Sequence, residues 1–374
     1  MKFTINKNLF LEKLQIAQKA MASRSNMPAL TGILISCENE ELTMVTSNSE
    51  IAIKVLINEP SLSIETEGSC LVPGKIFGEI VRKLNGEDIE FEYKKDNIMR
   101  IQAGSSDVTL NLLEVEDYPE PKFETENLSF KIKASLLKEM IKETTFAASI
   151  IDNKPILTGV NLKVNQDNVL AVATDSFRLS KRTAKLDEQF FETNIIVPSR
   201  SLNEYSKIIE ESAEPVEVYV TPSKVLFKTE SVMFQARLLE GTYPETSRLI
   251  PVNFPVILKF DKSELISAID RVSTLSASQS TTTVVKLIID ENGDSTLVSS
   301  SPELGTIKDE IKPIEVESVI PLTISFSSSY FLDGLRAFYS ENVYVKFNGE
   351  IKPFIFEAEN DEGLIELVLP MKSD

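Results

Sequence analysis

Three stretches of the chain change period in the same way, from alternation by two to spacing by three and four. Phe3-Thr4-Ile5 runs into Leu9-Phe10-Leu11-Glu12-Lys13-Leu14; Phe130-Lys131-Ile132 runs into Leu136-Leu137-Lys138-Glu139-Met140-Ile141; Leu258-Lys259-Phe260 runs into Leu265-Ile266-Ser267-Ala268-Ile269. Alternation marks a strand with one buried face, and the wider spacing marks an amphipathic helix. Asn8, Ser135 and Ser263 hold matching places near the expected helix starts, where such residues suit a cap. The copies begin at Phe3, Phe130 and Leu258, at a nearly constant period.

A second landmark keeps that period. Pro28-Ala29-Leu30-Thr31-Gly32 returns as Pro155-Ile156-Leu157-Thr158-Gly159, at the same offset as Phe3 to Phe130, each time followed by strand, polar turn and strand. The third copy lacks the motif and keeps the strands, 284–289 and 295–298, about the turn Asp290-Glu291-Asn292-Gly293-Asp294. A second helix closes each pattern, over residues 75–84, 199–209 and 328–338, with Pro73 and Pro198 at the first two junctions. Each copy thus reads as two helices and about eight short strands. Extended, proline-bearing joints at Tyr118-Pro119-Glu120-Pro121 and 249–255 divide the chain into 1–126, 127–253 and 254–374. The fold class expected is α+β: three tandem similar domains, each with two helices on antiparallel sheets.

The length of 374 residues fits such a division. No run approaches the 18 or so consecutive apolar residues of a membrane helix. The start Met1-Lys2-Phe3-Thr4 lacks the layout of a signal peptide, so a cytoplasmic protein is expected. Cys37 and Cys70 lie in strand-like runs and read as reduced, buried thiols rather than a disulfide. Histidine is absent. That removes Ser-His-Asp and Cys-His nucleophiles and histidine metal sites. No phosphate-binding glycine loop is present, and Gly104-Ser105-Ser106-Asp107 reads as a turn. No cofactor, metal or catalytic residue is expected.

Net charge of −18 opposes nucleic-acid binding unless basic residues are segregated. They do gather on or beside the predicted helices. On 75–84, Ile76, Phe77, Ile80, Val81 and Leu84 form the expected core stripe, leaving Lys75, Arg82 and Lys83 off it. Lys13 lies off the Leu11, Leu14 and Ala17 stripe, and Lys19, Arg24, Lys138, Lys142, Arg200, Lys207, Arg271 and Arg336 are placed similarly. Glu12, Glu139 and Glu204 on the same helices favour the plainer reading of mixed-charge solvent faces. A peptide-binding repeat scaffold that never meets DNA is a second reading. A carboxylate enzyme is a third, weakened by the lack of paired acids at a consistent spacing.

Several motifs, in order, resemble one family. They are Met1-Lys2-Phe3-Thr4, Pro155-x-Leu157-Thr158-Gly159, Ala173-Thr174-Asp175-Ser176-Phe177-Arg178-Leu179, Glu240-Gly241-x-Tyr243-Pro244, Arg248-Leu249-Ile250-Pro251 and the terminal Leu369-Pro370-Met371. The chain resembles the bacterial sliding clamps, the beta subunits of replicative DNA polymerase III, over its full length. The resemblance implies the DNA clamp fold, closed into a ring by two subunits head to tail, with helices lining the hole and sheets outside. It implies a homodimer that encircles double-stranded DNA without reading sequence and tethers the replicative polymerase, the clamp loader and repair proteins through short linear motifs.

The resemblance also implies sites. A partner-peptide pocket carries over to Leu157, Thr174, Ser176, Phe177, Arg178, Leu179, Pro244, Arg248, Leu249, Ser327, Tyr330, Val368, Leu369, Pro370 and Met371. DNA-facing candidates are Lys13, Arg24, Lys75, Arg82, Lys83, Lys138, Arg200, Lys207, Arg271 and Arg336. The subunit interface is expected to pair Val108, Thr109 and Leu110 with residues near Thr274 and Leu275; the stretch 276–283 has no clear register. Three departures stand out. Phe177 occupies a place where the family often has His, which lowers pocket polarity. Ser149-Ile150-Ile151-Asp152 is apolar where DNA-facing polar residues are common, so no DNA contact is carried there. The end Lys372-Ser373-Asp374 is extended and acidic.

Overall fold

The computed structural model describes residues 1–126, 128–210, 214–275 and 283–372. Residues 276–282 of the uncertain stretch, Asn127 at a predicted boundary, and the terminal Ser373 and Asp374 lie outside the described residues. Six α-helices and twenty-four strands are described.

The first repeat contains β1 (Lys2–Asn6), α1 (Lys7–Ala17), β2 (Gly32–Glu38), β3 (Glu41–Ser47), β4 (Ile51–Ile57), β5 (Ser63–Thr66) and β6 (Gly68–Pro73), then α2 (Gly74–Lys83), β7 (Asp88–Lys94), β8 (Ile98–Ala103) and β9 (Ser106–Asn111). The second holds β10 (Leu128–Lys133), α3 (Ala134–Thr144), the long β11 (Gly159–Thr174) and β12 (Arg178–Pro198), α4 (Ser199–Ser206), β13 (Pro215–Val220), β14 (Lys224–Lys228) and β15 (Val232–Arg237). The third runs β16 (Val256–Asp261), α5 (Lys262–Ser273), β17 (Val284–Ile289), β18 (Ser295–Ser301), β19 (Gly305–Ile311), β20 (Glu315–Ser318), β21 (Leu322–Ser327), α6 (Ser328–Ala337), β22 (Asn342–Phe347), β23 (Phe354–Glu357) and β24 (Leu364–Val368).

The chain forms two compact units, one of Met1–Ser135 with Glu204–Leu238 and one of Leu136–Asn203 with Leu239–Asp374. The first unit carries a five-stranded sheet, β5-β1-β7-β8-β9, and an eight-stranded sheet, β10-β13-β14-β15-β4-β3-β2-β6. The second carries a seven-stranded sheet, β11-β12-β24-β23-β22-β16-β20, and a four-stranded sheet, β19-β18-β17-β21. Sheets therefore cross repeat boundaries. β15 of the second repeat pairs with β4 of the first, Ile53 opposite Phe234. β24 of the third pairs with β12 of the second, Ser180 opposite Glu366. Such pairing hides strand edges that would otherwise template aggregation.

Apolar alternation builds the cores. In the first unit Phe3 and Phe91 stack at 4.8 Å, with Phe10 and Phe77 packed around them; Tyr205 stacks on Phe227 at 4.7 Å. In the second, Phe326 stacks on Phe331 at 4.4 Å, and Phe354 and Phe356 close the cluster. Each such ring contributes about 1.5–3 kcal/mol by burial.

Three expectations are corrected. The cap of α1 is Asn6, whose side chain accepts from the Asn8 and Leu9 amides, and that of α5 is Asp261, not the Asn and Ser two residues on. Ile76 is exposed, so the buried side of α2 is the narrower row Gly74, Phe77 and Val81. Lys13 is buried, in one row of α1 with Phe10, Leu14 and Ala17, and its ammonium lies 3.4 Å from both Glu12 and Glu210. Cys37 and Cys70 are free and buried, as expected, and burial pushes the Cys37 thiol up to about 12. No described helix is long and apolar enough to cross a membrane.

Candidate functional site

The strongest constellation lies in the second unit, where β11 turns into β12. Asp175 Oδ1 accepts the amides of Phe177 at 2.8 Å and Arg178 at 3.0 Å. Thr174 Oγ1 donates to the Arg178 carbonyl and accepts from the Ser176 amide. This tight turn holds Ser176 at φ 81°, in the left-handed region. A short polar side chain is tolerated there; a β-branched one is not. Tyr243 Oη accepts the Thr174 amide at 3.0 Å, and burial pushes the phenol up to about 12.

The turn presents two side chains. Arg178 is gripped from both ends, its Nε on Asp175 at 3.0 Å and its Nη1 on Asp333 at 2.6 Å. Its guanidinium lies 4.5 Å from the Tyr330 ring centre and 5.4 Å from that of Phe146. Phe177 is 59% exposed, and its ring lies nearly parallel to Tyr330 at 6.5 Å. Ser327, which begins α6 and is fully buried, places Tyr330 one turn along.

The floor is hydrocarbon. Leu179 pairs with Leu367 across β12 and β24, and both pack with Val172 and Ile355; Leu170, Tyr243, Ile250 and Leu369 lie partly buried against them. The chain end is tied in, the Leu369 amide donating to the Phe177 carbonyl at 2.9 Å and the Met371 amide to Ser325 at 2.7 Å. Gly334 on α6 allows close approach, since a Cβ there would meet Phe356 at 3.1 Å.

With Val368 opposite Arg178 across β24 and β12, the contacts join Thr174, Ser176, Phe177, Arg178, Leu179, Tyr330, Val368, Leu369 and Met371. Leu157, Thr174, Leu179, Ser327 and Val368 are buried supports, while Phe177, Leu249 and Met371 are exposed apolar residues. Pro244 and Arg248 are exposed and Pro370 half-buried. Sequence reasoning passed over Asp175, Asp333 and Phe146, which hold Arg178, and Tyr243, which ties the turn. Tyr243 stood inside a quoted motif; Asp333 is visible only once α6 is folded beside β12. We expect Asp175→Ala to weaken any ligand of this groove about tenfold, with a loss of about 1.5 kcal/mol in stability, because three donors lose their acceptor. Isothermal titration and thermal unfolding check both.

The basic candidates divide. Arg24, Lys75, Arg82, Lys83 and Arg200 are exposed, and Lys138 is half-buried. Lys207 pairs with Glu204 at 2.7 Å, Arg271 with Asp309 at 2.7 Å, and Arg336 with Asp270 at 3.8 Å. Ile150 is 96% exposed beside Ile151. Val108, Thr109 and Leu110 lie on β9, which bonds only to β8 among the described strands. Thr274 and Leu275 follow α5 and belong to no strand. The described residues hold no cluster of His, Cys, Asp and Glu suited to a metal.

Comparison with known proteins agrees along the whole chain. Family models for the DNA polymerase III beta subunit match its N-terminal domain at residues 1–122, its central domain at 131–245 and its C-terminal domain at 247–372. The beta sliding clamp of Bacillus subtilis (strain 168) is 37% identical over 380 residues, and that of Staphylococcus aureus (strain Mu50) 36%, each covering both chains completely. The crystal structure of the Bacillus subtilis DNA polymerase sliding clamp superposes with a TM-score of 0.95 at 37% identity, and that of the beta chain from Streptococcus pneumoniae with 0.95 at 34%, again over the full length of both chains.

Proposed function

This chain belongs to the DNA polymerase III beta-subunit family, and from that membership we propose how its own residues perform the work of a DNA sliding clamp. It is a processivity factor for the polymerase, without catalysis of its own, and it interacts with DNA and polymerase. In our reading three clamp domains, 1–126, 127–253 and 254–374, form half of a ring, and a second copy completes it. Enclosure then replaces tight binding, so that contacts to phosphate stay weak and the ring slides.

The observation that carries ring closure is a pair of unmatched edges. β4 of the first repeat is covered by β15 of the second, and Arg178–Arg182 of β12 is covered by β24 of the third. Gly305–Asp309 of β19 lies one repeat period beyond Arg178–Arg182, as that stretch does beyond Ile51–Val55. No described strand of this chain covers it. β9 holds the place in the first repeat that β15 holds in the second, and its outer edge is likewise open. The far edge of the same four-stranded sheet, β21, is already bonded by the Met371 amide. We therefore pair β9 of one subunit with β19 of the next, Leu110 opposite Gly305 and Asp107 opposite Lys308. Thr274 and Leu275, which follow α5, stay in our reading as further third-domain residues of that contact. Such a contact is heterologous, and two copies close it into a homodimer.

The Phe177–Tyr330 groove is the site for short linear motifs of the replicative polymerase, clamp loader and repair proteins: apolar floor, aromatic rim and one fixed guanidinium suit an extended peptide with apolar anchors. For DNA, the exposed Arg24, Lys75, Arg82, Lys83 and Arg200 are the better candidates, and Lys13 is not among them. The acidic remainder of the surface keeps DNA from the outside. Arg82→Ala with Lys83→Ala should lower the slope of log affinity against log salt by about 1.8 if both touch phosphate, at unchanged dimer mass. An unchanged slope in a filter-binding series would remove these two from the DNA path.

A further inference from the structure

The two junctions between repeats share one geometry and differ in chemistry. In the first, Ile53 lies opposite Phe234 and Val55 opposite Val232. At the matching places of the second, Ser180 lies opposite Glu366, and Arg182 opposite Leu364. Glu143, on the last turn of α3, stands one repeat period beyond Ile16 on α1. A junction that closes with hydrocarbon in one copy thus carries two buried carboxyls, a hydroxyl and a guanidinium in the other, next in sequence to the Leu179–Leu367 pair of the peptide groove.

Hydrogen counting fixes the state of Glu366. Ser180 Oγ lies 2.6 Å from the backbone carbonyl of Glu143 and 2.7 Å from Glu366 Oε1. A hydroxyl has one hydrogen, and a backbone carbonyl only accepts. Both contacts are hydrogen bonds only if Glu366 carries a proton and donates it to Ser180, which donates onward to Glu143. No described cation pairs with Glu366. Arg178, behind it on β12, is taken by Asp175 and by Asp333 of α6. Arg182 stands 3.2 Å from Glu143 and donates to the Glu362 carbonyl. Asp361, ahead of β24, is occupied by the Tyr339 and Ser340 amides and the Ser340 hydroxyl. Glu139 and Lys142, on α3, act on Glu143 only through their charge.

We infer that Glu366 is kept as a neutral carboxylic acid whose hydrogen bond to Ser180 positions β24 against β12, so that the peptide groove loses affinity when that proton is withdrawn. Glu366 is a positioning residue, acting through Leu367 and Val368, and the inference rests on the groove being the peptide site. Burial raises the Glu366 carboxyl well above its ordinary 4.5. Burial pushes Glu143 up to about 7, with Arg182 opposing. Both shifts have one sign. The folded junction holds protons that the unfolded chain releases above about 4.5, so the junction's stability is complete below that pH and is lost as pH rises through the folded values. The chain has no histidine, so no imidazole confuses a titration between pH 6 and 9.

The experiment uses the full-length protein and a fluorescent peptide of the cognate replicative polymerase's tail, without His or Cys, titrated from pH 6 to 9. Wild type should lose about tenfold or more in affinity over that range, the cost of one pKa unit or more. Glu366→Gln, whose amide donates to Ser180 without titrating, should flatten the profile to the share that Glu143 carries, and Glu366→Gln with Glu143→Gln should keep the pH 6 affinity throughout. A wild-type profile flat to pH 9, or a Gln variant with the wild-type slope, overturns the inference. Hydrogen exchange of the Leu364–Val368 amides in wild type, corrected for intrinsic rates, gives an answer without peptide or variant: protection should fall as pH rises, and constant protection overturns the inference. Absence of peptide binding at pH 6 with falling protection would sink the groove assignment and leave the neutral acid standing.

Discussion

Thr109→Pro is expected to weaken the subunit contact about a hundredfold, so that the native species falls from twice 41.8 kDa to 41.8 kDa at about a hundredfold higher concentration than wild type. The argument runs from strand alternation. On β9 the Leu112 amide just beyond it bonds inward to Asn97, so by period two the Leu110 and Val108 amides also face β8 and the Thr109 amide faces the open edge. Proline at Thr109 therefore spares the β8–β9 ladder and removes a donor only from the proposed contact with β19. Proline is tolerated at such an edge position, so the subunit itself keeps its fold. Each ring contains the contact twice. Orphaning a partner carbonyl at both costs about 3 kcal/mol in all, roughly a hundredfold in dissociation constant. Native mass spectrometry or light scattering reads the outcome directly. A Thr109→Pro protein that dissociates over the same concentrations as wild type would show that β9 does not close the ring.

The second large effect is expected at the chain end. Deleting Pro370 onward should weaken the polymerase tail peptide by about 2 kcal/mol or more, roughly thirtyfold, while the dimer mass stays unchanged. Met371 is a partly exposed apolar side chain held in place by its amide on Ser325, beside a Leu369 amide bonded to Phe177. Removing it strips one wall of the groove and uncovers the edge of β21. Met371→Ala isolates the side chain from the backbone bond, and its loss should be the smaller of the two. Fluorescence anisotropy distinguishes them; equal affinity in all three proteins would exclude the chain end from the site.

What was legible in the sequence, and what was not, follows from physics particular to each residue. The repeat was legible because the same turn chemistry recurs. Thr31 bonds back to Pro28 at 2.7 Å and Thr158 to Pro155 at 2.6 Å, and Asn48 caps its turn with the Glu50 and Ile51 amides much as Asp175 does with Phe177 and Arg178. The turn is thus common to both repeats, and what distinguishes the second is the pair of side chains it carries, Phe177 and Arg178. Lys13 was misread because a long aliphatic stem lets a lysine lie along a core-facing row while its ammonium finds Glu12 and Glu210. The grip of Asp333 on Arg178, the opposition of Ser180 and Glu366 and the open edge of β19 depend on strand order and register, which alternation alone does not determine. The carboxyl Glu366 is the plainest case, since among 57 acidic residues nothing in the sequence marks it as buried against Ser180.

Enclosure of DNA is the central claim, and topology tests it most directly. The protein, loaded by its clamp loader onto nicked circular duplex DNA and separated from free protein by gel filtration, should remain with the circle and leave when a single restriction cut makes the same DNA linear. Protein that stays on the linear product, or that binds circle and linear equally without a loader, would contradict a sliding ring.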